Sequence, residues 1–344
     1  MKRIKIGWIV IFISFFLLIS SSIGGYWLIK KPNILLGQSA KLLIIPSGIH
    51  FCALQDSLYQ GGYVQDTISF GLLARLTKYP HKVIAGAYQL KPHMGNWQAI
   101  KLLRSGSQVP IKLVLDHVYT QSGLIAKITQ NTSIKANELQ QLFNDTTFIG
   151  QLGFNADNIL AMFIPNTYEI YWRITPEALF QRMQLEYQRF WHPERMQQAN
   201  QLGLSPIEVV ILASIIQKET NKIQEAPIIA GVYLNRLKKG MHLQACPTLL
   251  YIADDPSARR VLHKYRHIDS RYNTYLYKGL PPGPISIPCI AMIEAVLNCQ
   301  QHNYLYFSAK EDFSGYHYFA KTFREHKKNG AQYRKALNRA NVYK

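Results

Sequence analysis

The run from Ile6 to Ile29 carries no charged residue, with Lys2, Arg3 and Lys5 before it and Lys30 and Lys31 after it. A stretch of that length and polarity has few folding options. As a helix it is long enough to cross a hydrocarbon layer of about 30 Å, and a helix leaves none of its interior backbone groups unpaired in lipid. The excess of positive charge on the N-terminal side keeps residues 1–5 in the cytoplasm. Everything after Lys31 is then extracytoplasmic, beyond the plasma (inner) membrane. The competing reading is a cleaved signal peptide, for which the small residues Ser20 to Gly25 offer a cleavage site. Against it, the apolar core of such a peptide runs to roughly 7–15 residues, and this one is longer and ends Tyr-Trp-Leu-Ile-Lys-Lys.

About 310 residues follow the anchor, enough for two or three modules with real cores. The net charge of +19 suits an anionic partner: nucleic acid, lipid headgroups or an anionic wall polymer. Nucleic acid is disfavoured by the transmembrane segment and by the lack of a compact basic run with interleaved aromatics. Much of the charge lies between Lys310 and Lys344, where a solvated basic helix face accounts for it equally well. Cys52, Cys246, Cys289 and Cys299 allow three complete pairings, and small buried thiols are the simpler expectation. Neither a CxxC, a Cys/His ligand pattern nor HExxH is present, so the expectation is a protein without metal or cofactor.

The soluble part reads as α+β. KLLIIPSG (41–48) is a short strand and a turn, and TISFGLLARL (67–76) a helix. GAYQLKPHMGNWQAIKLLRSG (86–106) gives a strand, a turn and a second amphipathic helix, with Trp97, Ile100, Leu102 and Leu103 as candidate core positions. Residues 41–108 therefore form a first module, a helix pair on a small sheet, and 109–344 a second. In the second, Pro110 to Leu115 is a strand, 121–150 is helical and polar, and FIPNTYEIYW (163–172) is a turn after proline. The polar helix from Pro176 to Trp191 is packing scaffold.

Chemistry concentrates between Ser205 and Tyr251. Ser205-Pro206-Ile207-Glu208 opens a helix with an N-cap serine, proline at the first position and a capping-box glutamate. Ile207, Ile211 and Ile215 then mark a buried stripe, and Glu219 is its next step. An acid placed there loses water and faces the negative end of the helix dipole. Both effects raise its pKa, as a general acid at neutral pH requires. A buried acid paired with Arg236 fits the same pattern, and spacing alone does not choose between them. Of the other acids between residues 200 and 300, Glu208 caps, Glu225 is either a second site residue or a surface acid, Asp254-Asp255 marks an exposed turn, Asp269 braces the following segment, and Glu294 belongs to a later helix.

The segments ASIIQKET (213–220), AGVYLNRLKKGM (230–241), LQACPTLLY (243–251), YNTY (272–275) and GLPPGPISIP (279–288), in this order, resemble the catalytic domain of the endolytic murein transglycosylases of the YceG-like (MltG) type. The likeness runs from the anchor to about Leu337. It implies that Glu219 protonates a glycosidic oxygen between MurNAc and GlcNAc in nascent peptidoglycan strands. The same residue then takes the proton of the muramyl 6-hydroxyl as a 1,6-anhydro ring closes, ending strand growth. The resemblance further implies that Gln244, Thr248, Tyr272, Asn273 and Thr274 line the glycan cleft, with Asn235 and Arg236 beside them or holding the fold. It makes 41–108 a LysM-like subdomain and the penicillin-binding proteins of wall-synthesis complexes partners. His317, in SGYHYF, matches a family position that a structural histidine also fits.

Three positions depart from the family pattern: Cys246 for an aspartate, Gln217 for a glutamate, and Asp116-His117 for Glu-Gly. Asn166 also replaces an aspartate in the Phe-Pro-Asp-Thr-Tyr element. Cys246 bears most on function, and a membrane-tethered glycan-binding scaffold with little turnover is the alternative it raises. Hydrolysis by water needs a second carboxylate, for which Glu225 is the candidate.

Overall fold

The computed structural model describes residues 2–340 except 36, 38, 117, 119 and 254–262, and for residues 2–11 the backbone alone. Asp254-Asp255 and His117 thus lie outside the described residues. The chain divides into two compact units. One runs to Lys112 and takes in Asn131–Ser133 and Glu169–Ile174; the other holds the remainder from Leu113 onward.

The first unit begins with helix α1 (Lys2–Lys30), whose part from Phe12 to Lys30 has a mean hydropathy of 1.8 and no fully buried residue, only Leu28 near its end packing partly on the core. Strand β1 (Lys41–Ile45), helices α2 (Phe51–Gln60) and α3 (Thr67–Leu76), strand β2 (Gly86–Leu90) and helix α4 (Asn96–Ser105) follow. β1 and β2 pair antiparallel, Leu43 opposite Tyr88, and the helices pack their apolar sides against this ribbon. A two-stranded ribbon cannot stand alone in water, so that packing is what stabilises it. Asp66 caps α3, accepting from the Ile68 and Ser69 amides at 3.1 Å. The end of α1 is tied down as well: Asn96 Nδ2 donates to Leu28 O at 3.1 Å, and Asn33 Nδ2 to Asn96 Oδ1 at 2.7 Å. Gly95 permits that approach, since a Cβ there would sit 2.8 Å from Ile29 O.

Two expectations need correction here. The ribbon carries three helices, because α2 buries Phe51, Leu54 and Leu58. On α4 the inward face is Asn96, Ala99, Ile100 and Leu103, while Trp97 is 44% exposed. One turn of helix separates Asn96, Ala99 and Ile100, so Trp97 points away from them.

The second unit is mainly helical. In chain order come β3 (Ile111–Val114), α5 (Gln121–Asn131), α6 (Ala136–Asn144), α7 (Thr146–Gln151), β4 (Thr167–Ile170), α8 (Pro176–Phe190) and α9 (Pro193–Leu202), with Ile111, Lys112, Asn131, Glu169 and Ile170 counted in the first unit. Then come α10 (Pro206–Glu219), α11 (Ala226–Lys238), α12 (Cys246–Ile252), α13 (Ile290–Leu297), the hairpin β5 (Tyr306–Ala309) and β6 (His317–Ala320), and α14 (Phe323–Arg339). The polar stretch 121–150 is three helices, the last started by Asp145 accepting from Thr147 N and Phe148 N. β3 pairs with β4, and β5 with β6. The core centres on α10, which packs against α9, α11, α12 and α13. Every residue from Val209 to Ile216 is consequently buried, so the helix is enclosed all round rather than along one stripe. No disulfide joins the cysteines; Cys52, Cys246 and Cys289 are exposed, against the expectation of buried thiols.

Candidate active site

The capping box forms as its sequence requires. Ser205 Oγ accepts from Glu208 N at 3.3 Å, and Glu208 Oε2 accepts from Ser205 N at 2.8 Å. The helix it starts ends at Glu219. There Thr220 turns the chain into extended conformation and leaves the Glu219 side chain at the edge of a cleft of about 550 Å³. Glu219 is the one carboxylate among the described residues lining it. Around it stand Tyr233 and Arg236 from α11, Gln244 from the α11–α12 loop, Cys246 at the start of α12, and Tyr275; opposite are Ser308 and His317 from the hairpin and His326 from α14.

Loss of water in this setting pushes the Glu219 pKa up to about 7. Three weaker influences pull the other way: the Tyr233 hydroxyl, donating to Glu219 Oε1 at 2.8 Å, the Arg236 charge and the Cys246 amide. Arg236 does not form the ion pair with Glu219 that spacing allowed. Its guanidinium is buried and spent on carbonyls, Nε donating to Leu305 O at 2.6 Å and Nη1 to Leu243 O at 2.8 Å. It thereby pins the α11–α12 loop to the strand region that carries the far wall. The acid so placed keeps a substantial protonated fraction near neutrality, is held in one orientation, and is able to give and retake a proton.

The expected cleft residues separate into two groups. Gln244 borders the cleft, on a backbone with φ +51° that its amide helps to fix by donating to Thr274 O at 3.0 Å. Arg236 borders it too. Thr248, Asn273 and Thr274 are buried, with their polar atoms committed inside the protein. Asn273 Nδ2 donates to Ile268 O at 2.8 Å and Oδ1 accepts from Tyr275 N at 3.0 Å. Thr274 Oγ1 accepts from Ala245 N at 3.0 Å and meets Thr248 Oγ1 at 2.9 Å. These three frame the loop that presents Tyr275, which lines the cleft where Tyr272 was expected. Tyr272 instead packs against Tyr251, ring centres 4.9 Å apart and planes tilted by 42°. Asn235 Nδ2 donates to the carbonyls of His302 and Tyr304, away from the cavity.

Gln217 and Ser214 hold the proline-rich loop 279–288 and its exit. Gln217 Oε1 accepts from Cys289 N at 2.6 Å, and Ser214 Oγ from Ile285 N at 3.1 Å. Cys246 is exposed along one edge, but its Sγ lies 3.2 Å from Tyr275 Oη inside the cleft, where loss of water pushes the thiol up, so it stays neutral beside Glu219. Sequence reasoning missed the far wall: Phe307, Ser308, Phe323 and His326. Among the described residues Ser308 Oγ and His326 Nδ1 are buried without a partner, and the His326 ring stacks on Tyr306 at 5.3 Å. No local motif announces them, since the hairpin and α14 reach the site only through tertiary packing. Among the described residues no cluster of three or more His, Cys, Asp or Glu side chains is arranged to hold a metal.

An α+β protein with an apolar N-terminal helix and a cleft built on one elevated-pKa carboxylate is the class these features define. The chain belongs to the YceG-like family, whose profile matches residues 43–332. It is 29% identical over 311 residues to a protein of Bacillus subtilis named endolytic murein transglycosylase, covering 86% of this chain and 85% of that one. A Streptococcus pneumoniae protein of the same name is 27% identical over 319 residues, covering 84% of this chain. This chain spans 57% of that longer relative. A crystal structure of a yceG-like protein from Listeria monocytogenes superposes with a TM-score of 0.56 at 26% identity, covering 84% of this chain and 98% of the other.

Proposed function

We propose that the protein is a peptidoglycan lytic transglycosylase and that Glu219 is its acid–base residue. The observation that carries this reading is a single carboxylate in the cleft whose pKa is raised to about 7. Protonated Glu219 gives its proton to the oxygen joining MurNAc to GlcNAc, and the bond from that oxygen to the anomeric carbon breaks. The muramyl 6-hydroxyl oxygen attacks the anomeric carbon, its proton passing to the Glu219 carboxylate. A 1,6-anhydro end remains and the enzyme is restored. Hydrolysis is less well supported: Glu225, the second acid it needs, is buried and bonded to His317 rather than open to the cleft.

The family and the names of its curated members support peptidoglycan as substrate. The length and apolarity of α1 support a single-pass anchor, and the charge of Lys2, Arg3 and Lys5 before it supports a cytoplasmic N-terminus. Helices packed on a two-stranded ribbon support the LysM-like reading of 41–108, with 109–344 as the catalytic domain. Cutting within nascent strands close to the membrane, beside penicillin-binding proteins, would end strand growth.

Full-length protein in detergent, incubated with uncrosslinked glycan strands and compared with Glu219→Gln by mass spectrometry, tests the reading. Internal cuts with 1,6-anhydro ends from the parent and none from the variant are expected. Reducing ends would replace the transglycosylase reading by hydrolysis, and binding without cutting by the parent would replace it by a glycan-binding scaffold.

A further inference from the structure

The hairpin places His317 on the wall of the cleft, opposite Ala309 in register. Glu225, just before α11, grips it twice: Oε1 accepts from the His317 amide at 2.9 Å, and Oε2 lies 3.0 Å from Nδ1. The side chains are 11% and 8% exposed. A carboxylate taken this far out of water against an imidazole fixes which ring nitrogen carries the proton. Nδ1–H donates to Glu225, which leaves Nε2 as an acceptor. Among the described residues Nε2 has no partner in the protein. The Phe307 ring, edge-on at 5.4 Å, further restricts the imidazole. An oriented acceptor lodged in a cleft wall, its support 92 residues away in sequence, is an arrangement that plain packing does not call for.

We infer that His317, clamped by Glu225, is a substrate-positioning residue whose Nε2 accepts a hydrogen bond from a sugar hydroxyl bound across the cleft from Glu219. The inference rests on the glycan-cleaving reading of the same cleft and assigns it a second pole. Glu219 handles the proton, while His317 holds a hydroxyl without taking its proton. A saccharide hydroxyl is the ligand group that fits, because it can donate to Nε2 and brings no further positive charge into a cavity that Arg236 and Arg266 already border.

Two substitutions separate this from a purely structural histidine. An asparagine amide reaches only as far as Nδ1, so His317→Asn keeps the bond to Glu225 and loses the acceptor in the cleft. A glutamine amide reaches the Nε2 position. Binding of uncrosslinked glycan strands is measured on full-length Glu219→Gln protein in detergent, so that turnover does not intervene, with thermal unfolding as the folding control. Adding His317→Asn is expected to raise Kd about tenfold at unchanged Tm, and His317→Gln to regain most of the loss. Unchanged binding in His317→Asn, or His317→Gln binding worse than His317→Asn, would overturn the inference, as would no glycan binding by any form. The transglycosylase reading fails separately: if the parent leaves no anhydro ends yet the tenfold difference stands, the subsite survives without that reaction.

Discussion

Glu219→Gln removes a carboxyl whose titration the folded state resists, and the consequence for stability follows from linkage. In the unfolded chain this group ionises near its ordinary value of 4.5, and in the folded protein near about 7. Between those values the native state binds the extra proton, so stability falls as pH rises. The stabilising contribution of the raised pKa is fully present below 4.5 and lost by the time pH passes 7. At 1.36 kcal/mol per unit, the cost above pH 7 is about 3 kcal/mol, an upper bound because water in the cleft screens one side of the group. Glutamine keeps the shape and still accepts from Tyr233 but does not titrate. The variant should therefore match the parent near pH 4.5 and exceed it progressively, with most of the gap opening between pH 5 and 8. At about 2–4 °C per kcal/mol for a unit of this size, that is roughly 5–10 °C in Tm. Thermal unfolding of full-length parent and variant in detergent, followed by tryptophan fluorescence at pH 5 and pH 8, reads it directly. A Tm difference that is the same at both pH values would refute the raised pKa.

Three further outcomes are expected. Cleavage by the parent should fall as pH rises through about 7; Tyr233→Phe removes a donor that favours the charged form, so its alkaline limb should lie higher, as a pH–rate profile would show. Cys246→Asp restores the family's residue and sets a like charge near Glu219, so the same profile should move up by roughly one unit, and an unmoved limb would mean the two groups do not interact. Asn273→Ala should cost about 2–4 kcal/mol, read by denaturation, because it strips a buried side chain of its bonds to the loop, while glycan affinity in the remaining folded protein stays unchanged.

The parts of this molecule that could be read from sequence are those set by neighbours along the chain. The α10 capping box, the placement of Glu219 at the helix end and the alternation of β1 and β2 all depend on residues within a few positions of one another. α2 escaped because His50 offers no side-chain cap and its apolar positions follow a proline turn without a break. Trp97 misled because a large apolar ring on an amphipathic helix reads as core, although Asn96, with a partner for its amide, takes the inward place. Asn273 and Thr274 were legible as important residues, but not which side they face. Their bonds to Ile268 and Thr248 exist only in the folded loop. The pairing of Glu225 with His317 is the extreme case, since neither residue's surroundings hint at the other.

The two walls of the cleft also differ in when they exist. Glu219 and Tyr233 sit well before the hairpin and α14, and the last lining residue is His326. A chain made from its N-terminus presents the acid side first and the opposing wall only later. Until then Glu219 lacks the side of the cleft formed by Phe307, Ser308, His317 and His326. A chain stopped after Lys310 should fold α10 and α11 yet leave glycan strands intact when assayed beside the full-length protein. Completion of the chain thus acts as a catch on the cleft, which gains its second wall only when its last lining residues are in place.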